Sequence, residues 1–354
     1  MKLGLGLYKD MLTHDNFQFA VQTGCTHIVA HLANYYAGGS IVPSTDGEHN
    51  YGISYADKVW SEENLTALKN MIQDEGLVLE AIENFSPIDW YDVLLDGPKR
   101  NEQMENLKQI IRNVGKAGIP VFGYNFSIAG VWGHERKRRA RGEADTACFD
   151  HEDGGCGFPI PNGEVWNMTY DPNAPDGYIP CVTHEELWDR WSRFIDEILP
   201  VAEEAGVRMA AHPDDPPMPT IRGQARLVYE PRYYQKMLDV NPSPANCFEF
   251  CMGSIQEMSE GNIYELLERY SLENRLAYIH FRNVKGKVPH YVEAFVDDGD
   301  IDMIRCVKIL NETNYNGILI PDHTPLIDCN SSWHAGMAFA LGYMRAAMQA
   351  VHAG

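Results

Sequence analysis

Three things are scarce or missing in this 354-residue chain, and each removes a class of function. Basic residues are outnumbered: 29 Lys and Arg stand against 50 Asp and Glu, a formal charge of −21. A surface that negative repels polyphosphate, which argues against a nucleic-acid partner and means that an anionic ligand needs local positive charge. Long apolar runs are missing too. No stretch approaches the roughly 18 apolar residues of a membrane span, and the opening "MKLGLGLYKD" alternates where a secretory signal would run continuously apolar. A cytoplasmic protein with no membrane partner is expected. Paired cysteines are the third absence. The cysteines at 25, 148, 156, 181, 247, 251, 306 and 329 form no CxxC pair. Neither a disulfide framework nor a zinc ribbon is indicated, and most should be buried thiols.

What is present is alternation. Short apolar runs at 3–8, 27–32, 77–82, 119–126, 207–212, 246–251, 277–282 and 317–322 read as strands. Between them lie longer segments of helical period, among them Glu62 to Glu75, Lys99 to Ala117, Glu185 to Ala205, Ile263 to Arg269 and Ile301 to Asn311. Thr183 stands where an N-cap belongs and Gly206 where a C-cap belongs. Strand then helix, repeated eight times, predicts an α/β fold: one (β/α)8 TIM barrel spanning residues 1–354. Residues 127–182 break the pattern, with many Gly and Pro and the basic run "HERKRRARG" after strand four. A connection this long is commonly a functional excursion, so a lid-like insertion over the active-site face is expected. A solvated surface is the ordinary fate of such a charge run. In so acidic a chain, however, Arg136, Lys137, Arg138, Arg139 and Arg141 also suit a collector for an acidic small molecule.

Barrel chemistry sits at the C-terminal ends of the strands. Strand five ends in His212, strand six in Cys251, strand seven carries His280, and strand eight ends in Asp322 followed by His323. A lone cysteine or histidine there is usually a buried structural residue. Four ligands of three types at four successive strand ends can meet at one ion. Softness admits zinc, and an open site with a carboxylate also suits Mn²⁺ or Fe²⁺. The loop "AHPDDPPMPT" at 210–219 would be an ordinary stiff turn in isolation. At the end of strand five it presents His212 to such an ion.

Five stretches carry a resemblance: "ENLKQIIRNVGKAGIPVFGYNF" at 105–126, "AHPDDPP" at 211–217, "FCMGS" at 250–254, "IHFRNV" at 279–284 and "PDH" at 321–323. In order and content they resemble the mannonate dehydratases, metal-dependent barrels related to the xylose isomerase-like enzymes. The resemblance implies a lyase of carbohydrate metabolism, in hexuronate catabolism, that converts D-mannonate to 2-keto-3-deoxy-D-gluconate and water. It implies Mn²⁺ or Fe²⁺ on His212, Cys251, His280 and Asp322, with Asp214 and Asp215 behind them orienting ligands or substrate hydroxyls. A small sugar acid is the implied partner, together with homo-oligomeric assembly.

The sequence also departs from the family. Beyond strand eight typical members carry a Pro-Gly-Tyr-Gly-type segment with a catalytic tyrosine; this chain reads "SSWHAGMAFALGY" at 331–343, with His334 near that place. After the proline-rich loop, "MPTIRGQARL" replaces the usual Gly-Leu-Pro-Arg, with Arg226 positioned to serve the same end. His323 is the expected general base or acid, since an imidazole titrates near neutrality, and His334 or a nearby tyrosine its partner. Asn125, Arg282 and Asn283 are expected substrate contacts, with strand-end hydrogen bonding as the competing role for the two asparagines. Two other functions stay open: another elimination, isomerisation or epimerisation of a related sugar or sugar acid, and a non-catalytic sugar-acid binder.

Overall fold

The computed structural model describes residues 1–33, 35, 52–54, 56–152 and 159–353. Eight parallel strands close a barrel in sequence order: β1 (Lys2–Tyr8), β2 (His27–His31), β3 (Val78–Glu83), β4 (Val121–Tyr124), β5 (Arg208–Ala211), β6 (Asn246–Cys251), β7 (Leu276–His280) and β8 (Ile318–Ile320), with β8 returning to β1. Helices follow the strands around the outside, among them Glu62–Asp74, Arg100–Lys116, His184–Ala205, Ile263–Leu272, Met303–Glu312 and Ser332–Ala353. The expected (β/α)8 architecture is therefore the observed one. The long helix His184–Ala205 starts and stops as its sequence dictates. Thr183 and Glu186 form a capping box, and Gly206 closes the helix at φ 70°, a left-handed conformation that glycine adopts without strain.

The barrel is packed, not hollow. Because side chains alternate along a strand, the inward columns can be read off the chain. Val29, Ala81, Val121, Ala210, Cys247, Ala277, Tyr278, Ile318 and Ile320 form one apolar plug inside. The next inward positions toward the C-terminal end are polar: His31 after Val29, Glu83 after Ala81, His212 after Ala210, Glu249 and Cys251 after Cys247, His280 after Tyr278, and Asp322 after Ile320. The period-2 rule thus stacks a polar layer directly on the apolar one. Gly123 on β4 leaves room in that layer, since a Cβ there would collide with Tyr278 Oη and Glu249 Oε2. Of the seven described cysteines, Cys25, Cys148, Cys247, Cys251 and Cys306 are buried, and Cys181 and Cys329 are exposed; Cys156 lies outside the described residues.

The segment after β4 is not a bare loop. Strands Glu135–Ala140 and Ala144–Asp150 pair antiparallel, and the second pairs with a hairpin, Asn283–Lys287 and His290–Ala294, that follows β7. Together they make a four-stranded sheet. The sequence reading assigns no element between β7 and the helical segment at 301–311, where this hairpin lies. No described helix is long and apolar enough to cross a membrane.

Candidate active site

At the C-terminal mouth of the barrel a cavity is walled by strand-end residues, including His31, Glu83, His212, His280, Asp322 and His323, and by Val131, His134, Arg136, Ala147 and Trp166 of the segment after β4. Ligand atoms of His212, Cys251 and His280 lie within 4.8 Å of one another. Asp322 joins them through His280, its Oδ2 3.2 Å from His280 Nδ1. Asp322 holds that position with φ 58°, a left-handed backbone that an aspartate tolerates better than most residues. His212 Nδ1 sits 2.5 Å from the Pro213 carbonyl oxygen, which accepts from it and leaves Nε2 for the cluster.

Does this set fit a divalent ion? Both ring nitrogens of the buried His280 face carboxylate oxygens, Nδ1 toward Asp322 at 3.2 Å and Nε2 toward Glu249 at 3.1 Å, without completing hydrogen bonds of good geometry, so the ring is oriented and its lone pair is not committed. Burial would push the Cys251 thiol up, but Arg282 and the His212 and His280 imidazoles hold it well below the ordinary thiol range. Arg282 Nη2 donates to its Sγ at 3.3 Å and the Ser254 backbone N–H at 3.5 Å. Burial likewise opposes charge on His212, yet Glu249 and Cys251 push it up to about 9. The centre is therefore electronegative and holds protons on its imidazoles where no metal replaces them. Two imidazoles, a thiolate and a carboxylate match the donor preferences of first-row divalent ions.

Behind the ligands lies a group that the strand-end reading of β5 to β8 did not reach. Glu249 Oε1 stands 3.1 Å from His280 Nε2, and Glu83 Oε2 stands 3.4 Å from it. Tyr278 donates to Glu83 Oε2 at 3.1 Å. A carboxylate on the far nitrogen of a ligand imidazole fixes its ring. His31 and Glu83 occupy the ends of β2 and β3, so the rule that singles out His212 also points to them. Burial and the adjacent Glu83 push the Glu249 carboxyl well up.

The expected substrate contacts divide. Asn125 lines the cavity, but Trp166 Nε1 donates to its Oδ1 at 3.1 Å and its Nδ2 donates to Pro213 O at 3.2 Å. It holds the wall. Arg282, 1% exposed, is a strut beneath the site: Nη1 donates to Glu257 at 2.8 Å and Glu293 at 3.0 Å, and Nη2 to Asp215 at 2.6 Å. Three other expected contacts have their polar atoms taken up by the fold. Asp214 accepts from the Leu227 and Val228 N–H groups, both at 2.7 Å. Arg226, fully buried against Asp214, donates to Gly130 O at 2.6 Å and Asp215 O at 3.0 Å, tying the proline-rich loop to the segment after β4. Asn283 donates to Val296 O and Ile301 O, at 3.1 and 3.0 Å, and accepts from Val284 and Ile301 N–H.

The two expected proton-transfer histidines also part. His323 lines the cavity, half-open to it, with Nδ1 3.1 Å from Glu293 Oε1 and Nε2 3.5 Å from Asp322 Oδ1. Burial works against its charge, but Asp322 and Glu293 raise it above the ordinary imidazole range. His334 is not at the site. It lies on Ser332–Ala353, edge-on to Phe19 at 5.0 Å, with Nε2 2.9 Å from Asn16 Oδ1, while its neighbour Trp333 lines the cavity. The helix register turns residue 333 inward and residue 334 toward helix His14–Gln22. The basic run is mostly spent as well. Arg138 pairs with Asp328, Arg139 with Asp150 and Arg141 with Asp297, at 2.6, 3.3 and 2.9 Å, and Lys137 pairs with Glu135. Arg136 pairs with Asp145 at 2.6 Å and alone of the five lines the cavity.

Comparison with known proteins follows the same lines. The family model described as D-mannonate dehydratase (UxuA) matches residues 48–153 and 177–352. Mannonate dehydratase of Streptococcus pneumoniae strain 70585 is 33% identical over 276 residues, 75% of each chain. The crystal structure of mannonate dehydratase from Streptococcus suis serotype 2 superposes with TM-score 0.77 at 27% identity, covering 100% of this chain and 95% of that one. The D-psicose 3-epimerase of Clostridium cellulolyticum H10 shares the fold at TM-score 0.57 and 12% identity, over 100% of this chain and 99% of that one. A matched family model over most of the chain, on a barrel whose strand ends gather imidazole, thiolate and carboxylate, makes this chain a member of the D-mannonate dehydratase family.

Proposed function

We propose that the protein is a hydro-lyase that converts D-mannonate to 2-keto-3-deoxy-D-gluconate and water, with Mn²⁺ or Fe²⁺ held by His212, Cys251, His280 and Asp322. The observation that carries this reading is the close trio of His212, Cys251 and His280, the last two buried, beside Asp322, opening on a cavity that also exposes His323. The ion, when bound, supplies positive charge to the carboxylate and C2 hydroxyl of an aldonate, which lowers the cost of removing the C2 proton. His323 in its neutral form is the base for that proton: its ring is half-open to the cavity, Glu293 fixes its Nδ1 side, and an ion on the neighbouring Asp322 would offset the carboxylate charge that otherwise keeps the ring protonated. Tyr8, Tyr35, Trp166 and Trp333 give the wall its apolar surface and limit water around the reacting carbons. Arg136 brings a guanidinium to a chain of charge −21, where an acidic ligand needs one. Unpaired buried thiols accord with work in a reducing, cytoplasmic compartment.

Incubation with D-mannonate and Mn²⁺, with the products identified by NMR, tests the reaction. A 2-keto-3-deoxy acid formed with loss of water is expected. An epimer or ketose isomer of the substrate would assign the site to the isomerase branch of the fold instead.

A further inference from the structure

His134 opens the basic stretch after β4, and its setting differs from that of the paired cations behind it. It lines the cavity with its side chain 13% exposed. Its Nε2 lies 2.5 Å from Tyr291 Oη, and Tyr291 donates its hydroxyl proton to Asp215 Oδ1 at 2.9 Å. The second bond sets the first. With the tyrosine proton committed to the carboxylate, the phenol oxygen accepts and His134 Nε2 carries the hydrogen. Asp215 Oδ1, 3.3 Å from the same nitrogen, favours that tautomer. Asp215 is itself fixed by Arg282 Nη2 at 2.6 Å and the Ser254 hydroxyl at 3.0 Å. The other nitrogen, Nδ1, is then left without a hydrogen: it accepts in the neutral ring and donates in the imidazolium. An imidazole oriented through its far nitrogen by a buried acid is an established arrangement for proton transfer.

We infer that His134 is the general acid that protonates the hydroxyl leaving C3, an assignment that rests on the reaction proposed above. Elimination needs two proton-transfer groups, and His334 is turned away from the cavity. His323 adjoins the ligand Asp322 and so serves the C2 end of the substrate. His134 reaches the ligand cluster through Asp215 and Arg282, one layer farther out than His323, and so is assigned the C3 end. The step balances as follows. His323 takes the C2 proton, and the C2–H electron pair becomes the C2–C3 π bond. The C3–O bond breaks with its pair on oxygen, His134 gives that oxygen its Nδ1 proton, and water leaves. The enol then loses its C2 hydroxyl proton and gains one at C3, giving the 2-keto-3-deoxy acid. His323 ends protonated and His134 neutral, and exchange with solvent restores both.

The test compares D-mannonate with 3-deoxy-3-fluoro-D-mannonate, whose fluoride departs without needing a proton. His134→Gln keeps a polar amide but no transferable ring proton. It is expected to retain wild-type metal content and melting temperature, to lose roughly 10²–10⁴ in turnover of mannonate, and to turn over the fluoro acid almost as wild type does. Tyr291→Phe, which leaves the ring in place and removes its link to Asp215, should show the same split between substrates with a smaller loss. An equal loss on both substrates, or an unchanged mannonate rate, would overturn the assignment. A wild-type enzyme inert toward both compounds would overturn the reaction itself, and this assignment with it.

Discussion

At Cys251 a fully buried thiol is held well below the ordinary thiol range by Arg282 and two imidazoles, with the Ser254 N–H also donating to its sulfur, which favours the thiolate that an ion would need. Replacing either His212 or Cys251 with alanine should leave purified protein with far less than one ion per chain by elemental analysis, because an open site has no spare ligand. Full occupancy in both variants would remove these residues from the ligand set. The histidines separate just as cleanly. His323→Asn should keep its metal and lose roughly 10²–10⁴ in kcat, whereas His334→Ala, packed on Phe19 away from the cavity, should turn over at the wild-type rate. That His212, Cys251, His280 and Asp322 come together was legible in the sequence, because residue type and strand-end position place all four at one mouth of the barrel. The internal partners of Asp214, Arg226 and Asn283 were not legible for a physical reason: in sequence a polar side chain near a strand end looks the same whether it meets a ligand or satisfies loop backbone. His134 had no signal of its own inside a run of cations.

Among the elements, those with local signals were the readable ones. Helix His184–Ala205 was bounded to within a residue, since Thr183 and Gly206 cap it by their own chemistry. The hairpin Asn283–Lys287 and His290–Ala294 was missed. Its outer partner, Ala144–Asp150, lies far away in sequence, and no local period reports such a pairing. That sheet also redirects the expectation for the basic run. Neutralising Arg138, Arg139 and Arg141 together should leave KM unchanged, because each already faces a surface carboxylate and such exposed pairs contribute little. Arg136→Gln, at the cavity wall, should raise KM more than it lowers kcat. Steady-state kinetics on both variants check this, and a raised KM in the triple variant would return the whole run to substrate capture.

Across the molecule, charge is concentrated where the barrel opens. Arg282 meets Asp215, Glu257, Glu293 and Asp322 in one buried knot. Burial alone would raise the carboxyls of Asp215 and Glu293, but Arg282 and His134 hold Asp215 well below the ordinary range, and His323 and Arg282 lower Glu293. Groups with depressed folded values stabilise the fold fully above the ordinary carboxylate pKa of about 4, and that contribution is lost as pH falls through the folded value. Denaturant melts should therefore show a stability plateau near neutrality and an acid limb below about pH 4. Arg282→Met should lower the plateau by about 3–5 kcal/mol, since it strands buried carboxylates, and should move the acid limb to higher pH. An unchanged acid limb in that variant would show that the knot does not govern acid stability.

That the ion site at the strand ends performs a dehydration is tested most directly by titrating metal-stripped enzyme with Mn²⁺ in saturating D-mannonate. The rate of 2-keto-3-deoxy-D-gluconate formation should start near zero and rise to a plateau at one ion per chain, with no such rise in the Cys251→Ala enzyme. Product formation at full rate without metal, or none at any Mn²⁺ or Fe²⁺ concentration, would contradict it.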